Sequence, residues 1–414
     1  NTAKSGKGMN DNYQYAAYHS YWPIATGWTD TDPLSGLSSP LEDHFGTDAE
    51  LRELVQKAHA KGIRVLIDLV ANHVHTDSPL WIEHKNDGWF NMAPDGKTPN
   101  VNGGYNCGWD APIECWFTDY LPDFDYRDKE LLDLVLDHAV WLVHEYDFDG
   151  FRMDAVKHMV MGFTTGTRSR IEQDIVTTGI PFYTVGETFD GDKMKIAEYV
   201  GADKLDGQFD FPLYFQVRDI LLQHSRGMNE LASFVAANDT YYTDRWNGAI
   251  MSNFMGNHDV TRALTFAGGD HARLRMAQTF LLTSPAIPLI YQGDDIGMEG
   301  GEDPDNRRMM VFEPSLSTDQ RATLAHLKKL GMARKAHPAL RTGIRTTLIS
   351  ETNLWAYRMK SGADEAIVIL NRGAQTQRQL STTLTGTLTD EISGNTAAVS
   401  GGKITVTVPA MTSA

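Results

Sequence analysis

The stretch "GFRMDAVKH", residues 150–158, decides the fold. Phe151, Met153, Ala155 and Val156 make it a short apolar run of the kind that fills a buried strand, and Gly150 opens it. Arg152, Asp154, Lys157 and His158 share the same nine residues, and ionic groups buried without partners are costly. A strand that is apolar along its length and ionic toward its carboxyl end fits a rim, where side chains leave the core and meet a ligand.

Five further β-rich runs share the chain with it: "IRVLIDL" at 63–69, "PFYTVGE" at 181–187, "GQFDFPLY" at 207–214, "AIMSNFMG" at 249–256 and "IPLIYQG" at 287–293. Helical patterns intervene at 47–62, 129–146, 228–238 and 272–284. Thr47 with Glu50 three residues on reads as a capping box, and Gly62 as a C-terminal stop. Strand and helix in alternation predict a parallel sheet, and this many units predict a closed β/α barrel, an α/β fold of the TIM type. Between 72 and 125 the chain is rich in Gly, Pro, Asn, Asp and aromatic residues without periodicity, which predicts an irregular inserted subdomain. After 340 the runs "NLWAYRMK", "EAIVILNR" and "GKITVTVP" predict a C-terminal antiparallel β-sandwich domain. The expected division is therefore 1–71 with 126–339 as barrel, 72–125 as insert and 340–414 as β domain.

Composition limits the function classes. The 414 residues are 41% hydrophobic and 22% charged, without an apolar run long enough to span a bilayer, so no membrane partner is expected. A net charge of −17 argues against a nucleic-acid partner, since a phosphate backbone needs a basic face. The two cysteines, Cys107 and Cys115 in "NCGWDAPIECWF", are too few for a zinc site; they form a local disulfide, which suits a secreted or periplasmic protein, or remain two free thiols. The chain does not begin with Met and opens on no signal peptide, as expected of a processed or shortened polypeptide.

Four strand ends carry polar groups: Asp68, Asn72 and His73 in "DLVANH"; Arg152, Asp154, Lys157 and His158; Glu187 in "VGET"; and Asn257, His258 and Asp259 in "GNHD". A barrel would gather them on one rim, bringing together three carboxylates, Asp154, Glu187 and Asp259, with Arg152 and two imidazoles. Glycoside hydrolysis needs such a set: a carboxylate nucleophile, a second carboxyl protonated to release the leaving oxygen, and polar groups that grip a distorted sugar. Arg152, two residues before Asp154, points to the same side of the strand and favours its ionised form, while crowding by the other carboxylates favours a protonated Glu187. Singly, each residue has a plainer role: His73 or His258 as a structural histidine, Asp68 as an ion-pair partner of Arg152, Asn72 and Asp123 as turn residues, and the tryptophans as packing. Joint occurrence favours the enzyme.

In this order "DLVANH", "GFRMDAVKH", "VGET" and "FMGNHD", with "LPDFD" at 121–125, resemble the conserved regions of the α-amylase family of retaining glycoside hydrolases, most closely a calcium-dependent bacterial α-amylase. The resemblance implies that Asp154 is the nucleophile, Glu187 the general acid/base and Asp259 the third, transition-state-stabilising carboxylate. It implies that Arg152, His73 and His258 hold the sugar at the cleavage site, that His19 and Tyr21 in "AYHSYW" bind and stack on sugar, and that Lys157 and His158 contact glucose on the leaving-group side. It further implies Ca²⁺, held by Asn72, Asp123 and the backbone carbonyl of His158, an oxygen donor set that suits a hard cation. The expected activity is endo-hydrolysis of α-1,4-glucosidic bonds in starch and related α-glucans. The segment "GMEGGEDPDNRRMM" at 297–310 is similar instead to maltogenic amylases and neopullulanases, so a cyclodextrin- or pullulan-acting hydrolase or transglycosylase is the alternative. A non-catalytic glycan-binding relative is a third, disfavoured by the presence of all three carboxylates.

The resemblance also places "AYHSYW" after the second barrel strand, so the first β-α-β unit is expected to precede residue 1. "NTAKSGKGMNDN" reads as an exposed, nickable loop, and a docked N-terminal fragment of the same polypeptide is the expected partner besides the glucan.

Overall fold

All six predicted strands form, and all pair in parallel with their neighbours. The computed structural model describes residue 33 and residues 47–76, 78–109, 113–246 and 249–413. His19, Tyr21 and the expected nickable loop lie outside the described residues. The chain divides into two units, residues 1–209 and 210–414.

In the first unit β1 (Leu66–Leu69), β2 (Gly150–Met153), β3 (Tyr183–Gly186) and β4 (Gly207–Gln208) make a parallel sheet in sequence order. The register sets Leu69 beside Met153 and Met153 beside Gly186, so the three strands end level. Close spacing requires glycine at 150, where a Cβ would lie 2.2 Å from the Tyr183 carbonyl oxygen. Phe151 and Met153 are fully buried against Leu136, Phe163 and Ile171. Burying a side chain such as Phe151 contributes about 2–3 kcal/mol. The helices Asp48–His59 and Lys129–Tyr146 match the predicted periodic stretches. The Thr47–Glu50 capping box is present, and Gly62 adopts a left-handed φ of 71° beyond the helix end.

Residues between β1 and the helix Lys129–Tyr146 form the irregular insert. One short helix, Pro79–His84, and isolated bridges such as His73 with Asp123 and Val101 with Trp116 give it shape. Its centre is Trp116, fully buried and edge-on to Trp81, and its tip is closed by a Cys107–Cys115 disulfide.

In the second unit β5 (Ser252–Phe254) and β6 (Ile287–Leu289) pair in parallel. Among the described residues the parallel strands form these two sheets, not a closed ring. The predicted strand at 207–214 stops at Gln208. Asp210 caps the Leu213 amide and Pro212 occupies the first turn, so "FPLY" opens the helix Phe211–Gln216.

The C-terminal region forms two antiparallel sheets. One contains β7 (Ile344–Ser350), β8 (Leu354–Ser361), β9 (Asp364–Asn371) and β14 (Thr412–Ser413); the other contains β10 (Thr376–Ser381), β11 (Thr387–Thr389), β12 (Thr396–Ser400) and β13 (Lys403–Val408). Alternation along β8 explains the layering. Trp355, Tyr357 and Met359 pack with the helix residues Leu274 and Phe280, while Leu354 and Ala356 pack with Leu380, Ile404 and Val408 of the other sheet.

Candidate active site

Level strand ends place the ionic residues of the first unit side by side. The Asp154 amide donates to the Leu69 carbonyl at 3.2 Å and the Glu187 amide to the Met153 carbonyl at 2.8 Å, so the residue after each strand is fixed by the neighbouring strand. Past Asp154 the chain turns abruptly: Ala155 adopts φ 49° and ψ 38°, a left-handed conformation costing roughly 1–2 kcal/mol for a residue with a Cβ. A single 3₁₀ turn, Val156–His158, follows, and its Val156 amide donates to the Glu187 carbonyl at 2.9 Å.

Arg152 is the hub. Its Nη1 lies 2.7 Å from Asp68 Oδ1 and 2.7 Å from Asp154 Oδ1, and its Nη2 lies 2.6 Å from Glu187 Oε2. Burial disfavours the guanidinium charge, but Asp68, Glu187 and Asp154 outweigh it and hold the group well above the ordinary arginine range. Asp154 and Glu187 are both buried, whereas Asp68 is a quarter exposed at the edge of the cluster. The structure thus brings Asp154, Glu187 and Arg152 together and pairs Asp68 with Arg152. Contact of Arg152 with Glu187 was not readable from the chain, because it depends on register between β2 and β3.

An aromatic cluster adjoins this hub. Phe117 meets the His73 ring at 5.3 Å and the His158 ring at 4.5 Å, both edge-on. Trp109, half exposed beside the disulfide, lies edge-on to His158 at 5.1 Å, and Lys157 Nζ sits 4.3 Å from its ring centroid. Lys157 also donates to the Phe189 carbonyl at 3.0 Å. Phe117 and Phe189 are site residues that the sequence reading did not single out; Phe189 directly follows "VGET", a position that could have drawn attention.

Asn72 and Asp123 are also brought together, through the His73–Asp123 bridge and the Phe124 amide, which donates to the Asn72 carbonyl at 2.9 Å. Both side chains are buried. Among the described residues Asn72 Oδ1 and Asp123 Oδ1 have no hydrogen-bond partner. Burial pushes the Asp123 carboxyl well above its usual range, opposed by hydrogen bonds from Asn91 and Asn72. Among the described residues no three His, Cys, Asp or Glu side chains gather as a metal site.

His258 and Asp259 belong to the second unit, just beyond the carboxyl end of β5. The Asp259 amide donates to Asn257 Oδ1 at 2.9 Å, and His258 Nε2 lies 3.2 Å from Asp259 Oδ2. Arg307, absent from the sequence-derived set, pairs with Asp259 Oδ1 at 3.2 Å.

A family model described as "Alpha amylase, catalytic domain" matches residues 39–342. The chain is 30% identical over 412 residues to a β/α-amylase of Paenibacillus polymyxa, covering 96% of this chain and 31% of that protein. It is 31% identical over 410 residues to a cyclomaltodextrin glucanotransferase of Niallia circulans, covering 94% and 52% respectively. The chain therefore spans between about a third and about half the length of these curated relatives. Among solved structures, the α-amylase of Geobacillus thermoleovorans complexed with acarbose superposes with a TM-score of 0.78 at 26% identity, covering 90% of this chain and 81% of that one.

Proposed function

Because this chain belongs to the α-amylase family of glycoside hydrolases, we propose that it cleaves α-1,4-glucosidic bonds within starch-like glucans by a retaining double displacement. The observation that carries the reading is the single guanidinium of Arg152 shared by Asp154 and Glu187. Acceptors on the two Nη atoms of one guanidinium stand close together, which suits the ~5–5.5 Å carboxyl spacing of retaining enzymes rather than the wider gap that admits a water.

In this reading Glu187 protonates the glycosidic oxygen while Asp154 attacks the anomeric carbon, breaking the glycosidic bond and forming a glycosyl ester. Glu187 then takes a proton from water, which attacks the same carbon and frees Asp154. Arg152 keeps Asp154 anionic and aimed. The family resemblance assigns Asp259 and His258, and separately His73, to holding hydroxyls of the distorted sugar, and it assigns His19 and Tyr21, outside the described residues, to sugar binding as well. Lys157 and His158, backed by Trp109, receive the leaving-group glucose units, and a half-exposed indole is suited to stacking on them. A cyclodextrin-acting or glucan-transferring enzyme is the second reading, favoured by the glucanotransferase relative and the segment 297–310. Assay of the purified protein on starch, cyclodextrin and pullulan separates the two. Starch is expected to be shortened fastest, to mixed maltooligosaccharides; faster cyclodextrin or pullulan cleavage, or cyclic products, would transfer the assignment to the second reading.

We also propose that Ca²⁺ binds Asn72, Asp123 and the carbonyl of His158. The support is the pair of buried oxygens, Asn72 Oδ1 and Asp123 Oδ1, that find no partner among the described residues and that a hard cation would satisfy. The ion would supply a clamp between insert and β2 loop, not a chemical step. Chelation is expected to lower the melting temperature by about 5 °C or more, as withdrawal of a saturating ligand does, and Ca²⁺ to restore it. A melting curve indifferent to chelator would remove the proposal. Export to the periplasm or medium is proposed on the same terms, supported by the Cys107–Cys115 disulfide.

A further inference from the structure

The segment 297–310 has no role assigned in the proposed double displacement, yet its most buried residues reach the loop that carries Asp259. Asn306 is fully buried, and its Nδ2 donates to the His258 carbonyl at 2.7 Å and to the Val260 carbonyl at 3.0 Å. Arg307 is 4% exposed. Its Nε donates to the His258 carbonyl at 3.1 Å and lies 3.0 Å from Asp303 Oδ1, while its Nη2 donates to Asp259 Oδ1 at 3.2 Å.

The support behind this pair is buried and hydrogen-bonded. The Asn306 carbonyl accepts from Arg262 Nε at 2.7 Å and from the Tyr291 hydroxyl at 3.2 Å. Arg262 is fully buried, with its guanidinium 4.0 Å from the Tyr291 ring centroid and Nη1 3.5 Å from the buried Asp294. Asp259 is the exposed end of this stack, with 30% of its side chain open to solvent.

We infer that Arg307 is a positioning residue for Asp259: it aims the carboxylate, and Asn306 fixes the backbone from which it projects. This rests on the reading of Asp259 as the third carboxylate. An exposed ion pair would be worth little, but here the cation is buried and its planar fork serves a carbonyl and two carboxylates at once. A group that holds sugar hydroxyls must sit within about 0.5 Å of its productive place, so losing this aim costs turnover more than substrate affinity.

The test uses the full chain with maltoheptaose as substrate. Arg307→Ala is expected to lower kcat about 100-fold with KM within about threefold, the scale of a misplacement near 1 Å. Arg307→Lys is expected to recover about tenfold of that loss, because the charge remains while the fork does not. Wild-type kcat in folded Arg307→Ala, or in Arg307→Lys should the alanine variant not fold, overturns the inference. Asp259→Asn separates the two levels. If it is inactive while both Arg307 variants turn over normally, only the positioning role fails; if it retains full activity, the role assigned to Asp259 fails as well.

Discussion

Asp154→Asn is expected to lower kcat on maltoheptaose by at least about 10⁴-fold while the melting temperature stays within about 2 °C of wild type. The two halves of this expectation have different origins. A neutral amide cannot form the glycosyl ester, so the first displacement is lost outright. Stability survives because Arg152 keeps the Asp68 carboxylate at 2.7 Å and the Glu187 carboxyl group at 2.6 Å, so its buried charge is not left without a partner. Initial-rate assays paired with thermal melts of the purified variant check both halves. Near-full turnover by Asp154→Asn would refute the nucleophile assignment.

Arg152→Ala should fail on both counts. It removes a cation that touches three carboxyl groups, two of them buried, and leaves them without that counter-charge. Removing one partner of a buried ion pair typically costs about 3–5 kcal/mol, and activity should fall with it because Asp154 loses both its aim and its counter-charge. Arg152→Lys retains charge but cannot present two nitrogens to three acceptors, so it should melt closer to wild type yet remain well below it in kcat. Denaturant titration gives the stability and initial rates give the activity. A wild-type stability for Arg152→Ala would mean that the cluster is held by something other than this guanidinium.

Local signals explain what the chain disclosed. Thr47 and Glu50 foretold a helix start because a capping box is made within four residues, and the six strands were visible from their apolar runs. The helix Met161–Asp174 was not, because its buried face includes Thr164 and Thr167 beside Phe163 and Ile171, which blurs the apolar period. Likewise "FPLY" read as strand because aromatic residues favour strands, whereas the Asp210 cap and Pro212 set a helix. At the candidate site, residue types and order were legible in Asp154, Glu187 and Asp259. Pairings were not: the reach of Arg152 to Glu187 depends on strand register, and that of Arg307 to Asp259 spans 48 residues of chain.

The left-handed turn at Ala155 has a consequence for how such a protein can change over generations. Asp154 lies on one side of it and Lys157 and His158 on the other, with the intervening Val156 amide fastened to the Glu187 carbonyl. On the proposed reading, the bond-breaking groups are anchored by the sheet, and the contacts proposed for the departing sugar hang from a separate, one-turn bracket. Replacing Lys157 or His158 would change packing against Trp109 and Phe117 while the Val156 amide keeps its bond to the Glu187 carbonyl. If the proposed roles hold, preference for the departing sugar could drift while the reaction itself stays constant.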